Sequence, residues 1–222
     1  MSGLIESASA ILSQSEKRLE IIAQNVANAA TPGYKRLVAF SALVPAANGG
    51  DSVDTVVTPA IDRRPGKAVV TGVPFDFALT GPGLFALRGD QGTHLTRQGR
   101  FSRDRDGRLI DVVGNALQLV SGNDLIVSSS EFEVHSDGTV IEHGAVLGRI
   151  AVYGAQGEEG AGDLIAAPHL QQGAYEGSNV SSADELVAMM EALRRAESAQ
   201  RVMITYDELM GRAITTFGEA GR

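Results

Sequence analysis

Four histidines, His94, His135, His143 and His169, are the side chains best suited to hold a metal or move protons near neutral pH. Their spacing forms neither HExxH nor a His-x3-His pair, whereas a zinc site brings further ligands at defined intervals. His135 and His143 flank a predicted hairpin, so the pattern reads as two neighbouring surface strands. Residues 102–107, SRDRDG, look like the start of a calcium loop, but the twelfth position, where a bidentate acid belongs, is Val113. A turn with solvated carboxylates fits better. TGPG at 80–83 lacks the lysine and following helix of a phosphate-binding loop, and neither GxSxG nor GxxxxGK[ST] occurs. With no cysteine, thiolate catalysis, disulfides and Cys-based zinc sites are excluded. No carboxylate sits in an apolar run that would raise its pKa. The residues therefore predict no catalytic, cofactor-binding or metal-binding constellation, and no enzyme.

Charge and composition narrow the partners. A formal net charge of -8 argues against nucleic acid, whose binding needs clustered Lys and Arg. It argues equally against an anionic membrane surface. No run approaches the roughly 18 apolar residues of a membrane span, so no direct membrane insertion is expected. The first residues, MSGLIESASAILSQSEKRLE, have no basic n-region and predict no cleaved signal peptide. Aromatic residues at 5% predict no large aromatic core.

Three zones must position whatever these residues do. Residues 3–30 read as a helix: Ile5, Leu12, Leu19 and Val26 fall seven apart, and Ala8, Ser15, Ile22 and Ala29 fall three after each. Pro32 disfavours the helical region for Thr31, and Gly33 completes the stop. A second helical zone begins near Ser181, where Ser182 and Glu185 fit a capping box. Leu186, Met189, Leu193, Ala196, Met203, Met210, Ile214 and Phe217 share one a/d register along it. It is expected to run about 36 residues, on the order of 54 Å. Between the helices, short Val, Ile, Leu and Phe runs alternate with glycine turns. Asp106-Gly107 and Asp137-Gly138 each stand between alternating segments, the strongest short-range hairpin signal, and Val134 is placed to pair with Val140.

The fold class is thus α+β, with two long terminal helices pairing as a coiled-coil-like unit around a central antiparallel all-β domain. The predicted boundaries are 1–35 for the N-terminal helix, 36–71 for an extended connector with little core, 72–168 for the β domain and 169–222 for the C-terminal segment and helix. Residues 153–164, YGAQGEEGAGDL, read as a flexible loop. The apolar seam, Ile5, Leu12, Leu19, Ile22, Val26, Leu186, Met189, Leu193, Met203, Met210, Ile214 and Phe217, is narrow. At roughly 25 cal/mol per Å² it barely offsets ordering costs of about 1.5 kcal/mol per residue. Both ends are therefore expected to be largely disordered or loosely helical in the free monomer, until neighbouring subunits order them. On the residues alone, a soluble homo-oligomer built through these helices is the alternative.

NVANAATPGYKR at 25–36 resembles the N-terminal signature of the flagellar basal-body rod and hook proteins, with Asn25, Asn28, Thr31, Pro32, Gly33, Tyr34 and Lys35 in matching positions. The family's C-terminal segment opens with Glu-x-Ser-Asn-Val; here Gly177, Ser178, Asn179 and Val180 match it, and Met189, Met190, Glu191, Ala192 and Arg194 match its Met-Ile-Glu-Ala-x-Arg-like helix. FDFALTGPGLFAL, HLTRQGRF and LGRIAVY resemble its β segments, with Pro82, Leu84 and His94 departing from the usual residues. The resemblance spans nearly the whole chain. It implies a structural subunit exported unfolded by the flagellar type III apparatus into the periplasmic rod. There it would polymerise with itself and with other rod proteins in a helical assembly that transmits torque. The seam residues become the assembly surface, and Asn25 and Asn28 become candidates for packing or capping contacts. At 222 residues the chain is nearest in length to the proximal rod members, with the distal rod members as the alternative.

Overall fold

The computed structural model describes residues 2–45, 53–156 and 160–219. The chain divides into two units: Met1–Ala27, Leu37–Asp62 and Ser181–Arg222 form a helical unit, and Asn28–Arg36 with Arg63–Val180 form a β unit. The architecture is the expected α+β, with helices at the two ends and antiparallel strands between.

In the helical unit, α1 (Ser2–Ala27) packs along α2 (Ser182–Glu219). Helix α1 ends three residues before the predicted limit at 30. Ser181 caps α2: its hydroxyl accepts the Asp184 N–H (3.4 Å) and its carbonyl accepts the Glu185 N–H (3.0 Å). The predicted Ser182–Glu185 box is therefore displaced by one residue, which frees Glu185 to turn inward, where it is fully buried. Among the described residues no helix is long and apolar enough to cross a membrane.

The stretch expected as a connector holds a structure of its own. Strand β1 (Leu37–Pro45) pairs antiparallel with β2 (Val53–Ile61) in unbroken register from Leu37↔Ile61 to Pro45↔Val53. Both pack on α1. Val57 is buried, and Arg18 of α1 donates to the Ser41 hydroxyl (3.0 Å). Val38, Phe40 and Val56 are left exposed on the ribbon. Extended strands rich in Val and Ala satisfy their backbone groups by pairing, and the sequence signal for that is only the distance between two β-prone runs.

The β unit starts earlier and ends later than predicted, because residues on both flanks complete its sheets. β3 (Ala68–Val70) pairs with Ala174–Glu176, and β4 (Phe77–Leu79) pairs with Leu170–Gln172. The largest sheet is built on β5 (Leu84–Gly89), which meets Gly92–Thr96, Ala116–Leu117 and Val152–Gln156. The two Asp-Gly hairpins form as predicted: Ser102–Arg103 pairs with Leu109–Ile110, and Phe132–Val134 with Thr139–Glu142, bringing Val134 opposite Val140. Gly107 and Gly138 both take φ of +85° there, a conformation only glycine adopts without strain. The predicted loop at 153–164 is instead a ribbon, Val152–Gln156 against Gly160–Leu164. Its glycines hide the alternation by which a strand is recognised, yet the ladder needs only backbone groups.

The core of this unit gathers Leu87, Leu109, Leu117, Leu125 and Val127, all fully buried, around a cluster of phenylalanines. Phe77, Phe85, Phe101 and Phe132 meet edge-on or tilted at 5.8–6.4 Å, and Phe75 stacks on Phe132. An aromatic core thus exists where the composition predicted none. A small aromatic fraction concentrated in one cluster still fills a core.

The helix seam buries mainly small side chains, Ala8, Ser15, Ala192 and Ala199, beside Ile21 and Ile22. The β unit buries whole Phe and Leu side chains. Apolar area removed from water sets local stability. In the soluble protein, amides of α1 are expected to exchange faster than those of β5 by at least tenfold; equal protection in hydrogen-exchange mass spectrometry would contradict this ordering.

Candidate functional site

The signature residues that follow α1 and precede α2 meet inside the β unit on one buried carboxylate. Glu176 is 3% exposed. Its Oε1 accepts the Lys35 ammonium (2.5 Å) and the Gly66 N–H (2.7 Å), and its Oε2 accepts the Arg97 Nε–H. Arg97, itself buried, spends its remaining donors on the carbonyls of Gly83 (2.5 Å) and Leu79 (2.7 Å). Lys35 also donates to the Arg64 carbonyl (2.9 Å). A buried charge is tolerated only when paired and fully hydrogen-bonded, and here every oxygen position is met.

Backbone contacts close the same knot. The Gly33 N–H donates to the Glu176 carbonyl (2.7 Å), and the Asn179 N–H to the Tyr34 carbonyl (3.3 Å). The Asn179 side chain accepts the Arg36 N–H (2.6 Å) and donates to the Arg64 carbonyl (2.9 Å). Gly33 has φ of +69°, and a Cβ there would lie 2.5 Å from the Arg97 backbone. A Cβ on Gly66 would lie 2.0 Å from the Gly177 carbonyl oxygen. Only glycine fits either place. Asn28 and Thr31 form a local turn, with the Thr31 N–H on the Asn28 carbonyl and the Thr31 hydroxyl on the Asn28 side chain, both at 3.1 Å. Pro32, Tyr34 and Lys35 are half-buried beside them, and Ser178 turns its hydroxyl to the Val180 N–H (3.2 Å).

Three motifs distant in sequence, TPGYK, TRQG and EGSNV, are thus one site. Sequence reasoning quoted the third motif but assigned no role to its glutamate, and it gave none to Arg97. The available signal was the pairing of unmatched charges: a Glu, a Lys and an Arg, each embedded in a family signature.

The remaining signature residues belong to the helical unit. Asn25 is buried: its Oδ1 accepts the Leu37 N–H (2.8 Å), and its Nδ2 donates to the Leu37 carbonyl (2.8 Å) and to Glu185 Oε2 (3.3 Å). Glu191 is exposed on α2.

The predicted seam divides in two. Ile22 is buried, and Leu12, Leu19, Met189 and Met203 are half-buried. Ile5, Val26, Leu186, Leu193 and Met210 are exposed, and Ile214 and Phe217 lie outside the residues whose side chains are described. The stripe that α2 buries is Glu185, Ala192 and Ala199, one residue ahead of the predicted Leu186 and Leu193. Alanine scores weakly as an apolar residue, so the register followed the leucines, whereas the contact follows the small side chains.

Burial works against ionisation of Glu176, but Lys35, the Gly66 N–H and Arg97 outweigh it and hold its carboxyl below the ordinary value. Asp111 is lowered in the same way: burial opposes its ionisation, and the Asn115 side chain with the N–H groups of Asn115, Val113 and Gly114 prevails. A carboxyl depressed in the folded state stabilises fully above its unfolded pKa, about 4.3 for Glu, and loses that contribution as pH falls toward the folded value. Glu176→Gln is therefore expected to destabilise the β unit by about 3 kcal/mol at pH 7, since it leaves Lys35 and Arg97 buried without their counter-charge. The gap to the parent protein should narrow steadily below about pH 4.3 in urea titrations. A constant gap from pH 7 to pH 3 would mean that the charge is not what holds the knot.

Two family models match the chain, one at each end: Flagella basal body rod protein over residues 5–35 and Flagellar basal body rod FlgEFG protein C-terminal over residues 171–216. Along its length the chain is similar to the flagellar basal-body rod protein FlgF of Mesorhizobium japonicum, with 29% identity over 91% of this chain and 92% of the relative. The FlgF protein of Escherichia coli is 29% identical over 96% of this chain and 97% of its own. The rod protein FlgG of Agrobacterium fabrum is 27% identical over 87% and 91%. Each matched end carries part of the Glu176 knot, Lys35 in one and Glu176 in the other. Both ends of the chain thus match models of flagellar basal-body rod proteins, and over more than nine-tenths of its length the chain is similar to the FlgF rod proteins.

Proposed function

We propose that the chain is a structural subunit of the flagellar basal-body rod, the proximal member rather than the distal one, and that it polymerises through its terminal helices. The observation that carries this reading is the outward face of the helix pair. Leu4 and Ile11 on α1, with Leu186, Val187, Leu193 and Ile204 on α2, are 44–63% exposed. Single exposed leucines are ordinary, but large apolar side chains recurring along two adjoining helices mark an interaction surface. Helix α2 also outlasts α1 by twelve residues (38 against 26), or about 18 Å. A repeated head-to-tail contact between such faces builds a helical filament without closed symmetry.

The partners are copies of this chain and other rod and hook proteins of the same family, whose relatives carry those names. The place is the rod of the basal body, reached through the flagellar type III export apparatus. In this reading the helical segments supply the shaft contacts that carry torque. The helix pair depends for its full order on neighbouring subunits, which fits its seam of small side chains.

The exposed and buried positions of α2 separate assembly from folding. Leu193→Asp alters an exposed site and should change the stability of the isolated protein by no more than about 0.5 kcal/mol. It should nevertheless abolish rod assembly and motility in a complementation assay. Ala192→Leu, one residue away but buried, should instead overpack the seam at about 1–3 kcal/mol. Normal rods from Leu193→Asp would refute the outward face as the assembly surface.

A further inference from the structure

Among the described residues, the buried polar side chains of the helical unit are Ser15, Asn25 and Glu185. Ser15 donates to the Ile11 carbonyl of its own helix (2.8 Å) and so reads nothing across the seam. Asn25 reads two other elements at once. Its amide takes both backbone groups of Leu37, as a neighbouring strand would, and its second N–H reaches Glu185 on the first turn of α2.

The small buried residues of the seam choose a register only weakly. Ala8, Ser15 and Ile22 recur every seven residues, as do Ala192 and Ala199. Sliding α2 by one heptad puts Ala192 in the place of Glu185 and Ala199 in that of Ala192, while Tyr206 and Met203 move into the places of Ala199 and Ala196 further along. The same slide separates Glu185 from Asn25 and leaves a buried amide hydrogen opposite alanine. Hydrogen bonds are directional and an unmet buried donor is unfavourable, so this contact discriminates more sharply than packing of small side chains does. A single buried asparagine sets register in paired helices for the same reason.

We propose that Asn25 and Glu185 are the register lock of the helix pair, tying α2 to the corner where α1 turns into β1. They act as positioning residues: they fix how far along α1 the outward side chains of α2 stand. The consequence for assembly rests on the outward face being the polymerisation surface; the lock itself does not.

The chain has no cysteine, so spin labels can be placed at Glu16→Cys and Glu197→Cys, both exposed, and the distance between them read by pulsed electron paramagnetic resonance in the soluble full-length protein. The labelled parent and Glu185→Gln, which keeps an acceptor for Asn25, should each give one narrow distance. Asn25→Leu/Glu185→Leu, which removes both polar groups together, should add a second population, displaced on the order of 10 Å along the helix axis for a seven-residue slide. One unshifted distance in the double variant overturns the proposal, and so does a split distribution in Glu185→Gln. Where the double variant loses its helical circular dichroism, Glu185→Leu set against Glu185→Gln carries the same comparison. Rod formation is scored separately, so a slipped variant that still builds rods counts against the assembly face and not against the lock.

Discussion

The β unit is organised around one buried carboxylate. Glu176 is ionised and nearly inaccessible, a state that is tolerable only if cationic and N–H groups surround it. Those groups come from places far apart in the chain: Lys35, Gly66 and Arg97. Satisfying one side chain therefore brings together the segment that follows α1, the segment that follows β2 and the segment that precedes α2. Gly33 and Gly66 have no side chain because the backbones at this convergence lie closer than a Cβ allows. The two ends of the chain that match the family models each supply part of this one ion-pair knot, Lys35 from one and Glu176 from the other.

The helical unit is built on the opposite principle. Its internal contact buries mainly alanine and serine beside Ile21 and Ile22, and several larger apolar residues, Leu186 and Leu193 among them, stay exposed. As a monomeric design this is inefficient, since each exposed leucine forgoes about 1.5–3 kcal/mol of burial. In the proposed assembly a neighbour covers that face and recovers the burial. The β unit, with its phenylalanine cluster and fully buried leucines, has an apolar core of its own and does not depend on such cover.

Much of this was legible in the sequence, for identifiable reasons. The Asp-Gly hairpins were legible because a turn with positive φ demands a particular residue. The helix stop was legible because proline acts on its neighbour through sterics alone. The stripe that α2 buries lies one position ahead of the expected one, because Leu186 and Leu193 outscore Ala192 and Ala199 on any apolar scale although it is the alanines that are buried. The β1–β2 ribbon and the strands around residues 157–159 were missed because pairing depends on backbone groups that every residue has. Glu176 was overlooked inside a quoted motif. Its role exists only once Lys35 and Arg97 are beside it, and those lie 141 and 79 residues away.

Apolar and polar contacts divide the work in this molecule. Apolar burial supplies magnitude with little direction: it holds the β core together, and in the helix seam its small side chains discriminate register only weakly. Direction comes from polar side chains: within the helical unit from Asn25 at the end of α1 and Glu185 on the first turn of α2, and within the β unit from Glu176. A subunit whose outer face must match that of a neighbour gains most from such placement. The neighbour meets an array of side chains from both helices, and a slide of one heptad would offset the α2 part of that array along α1. Polar groups at the corners let a weakly packed helix pair present a single face.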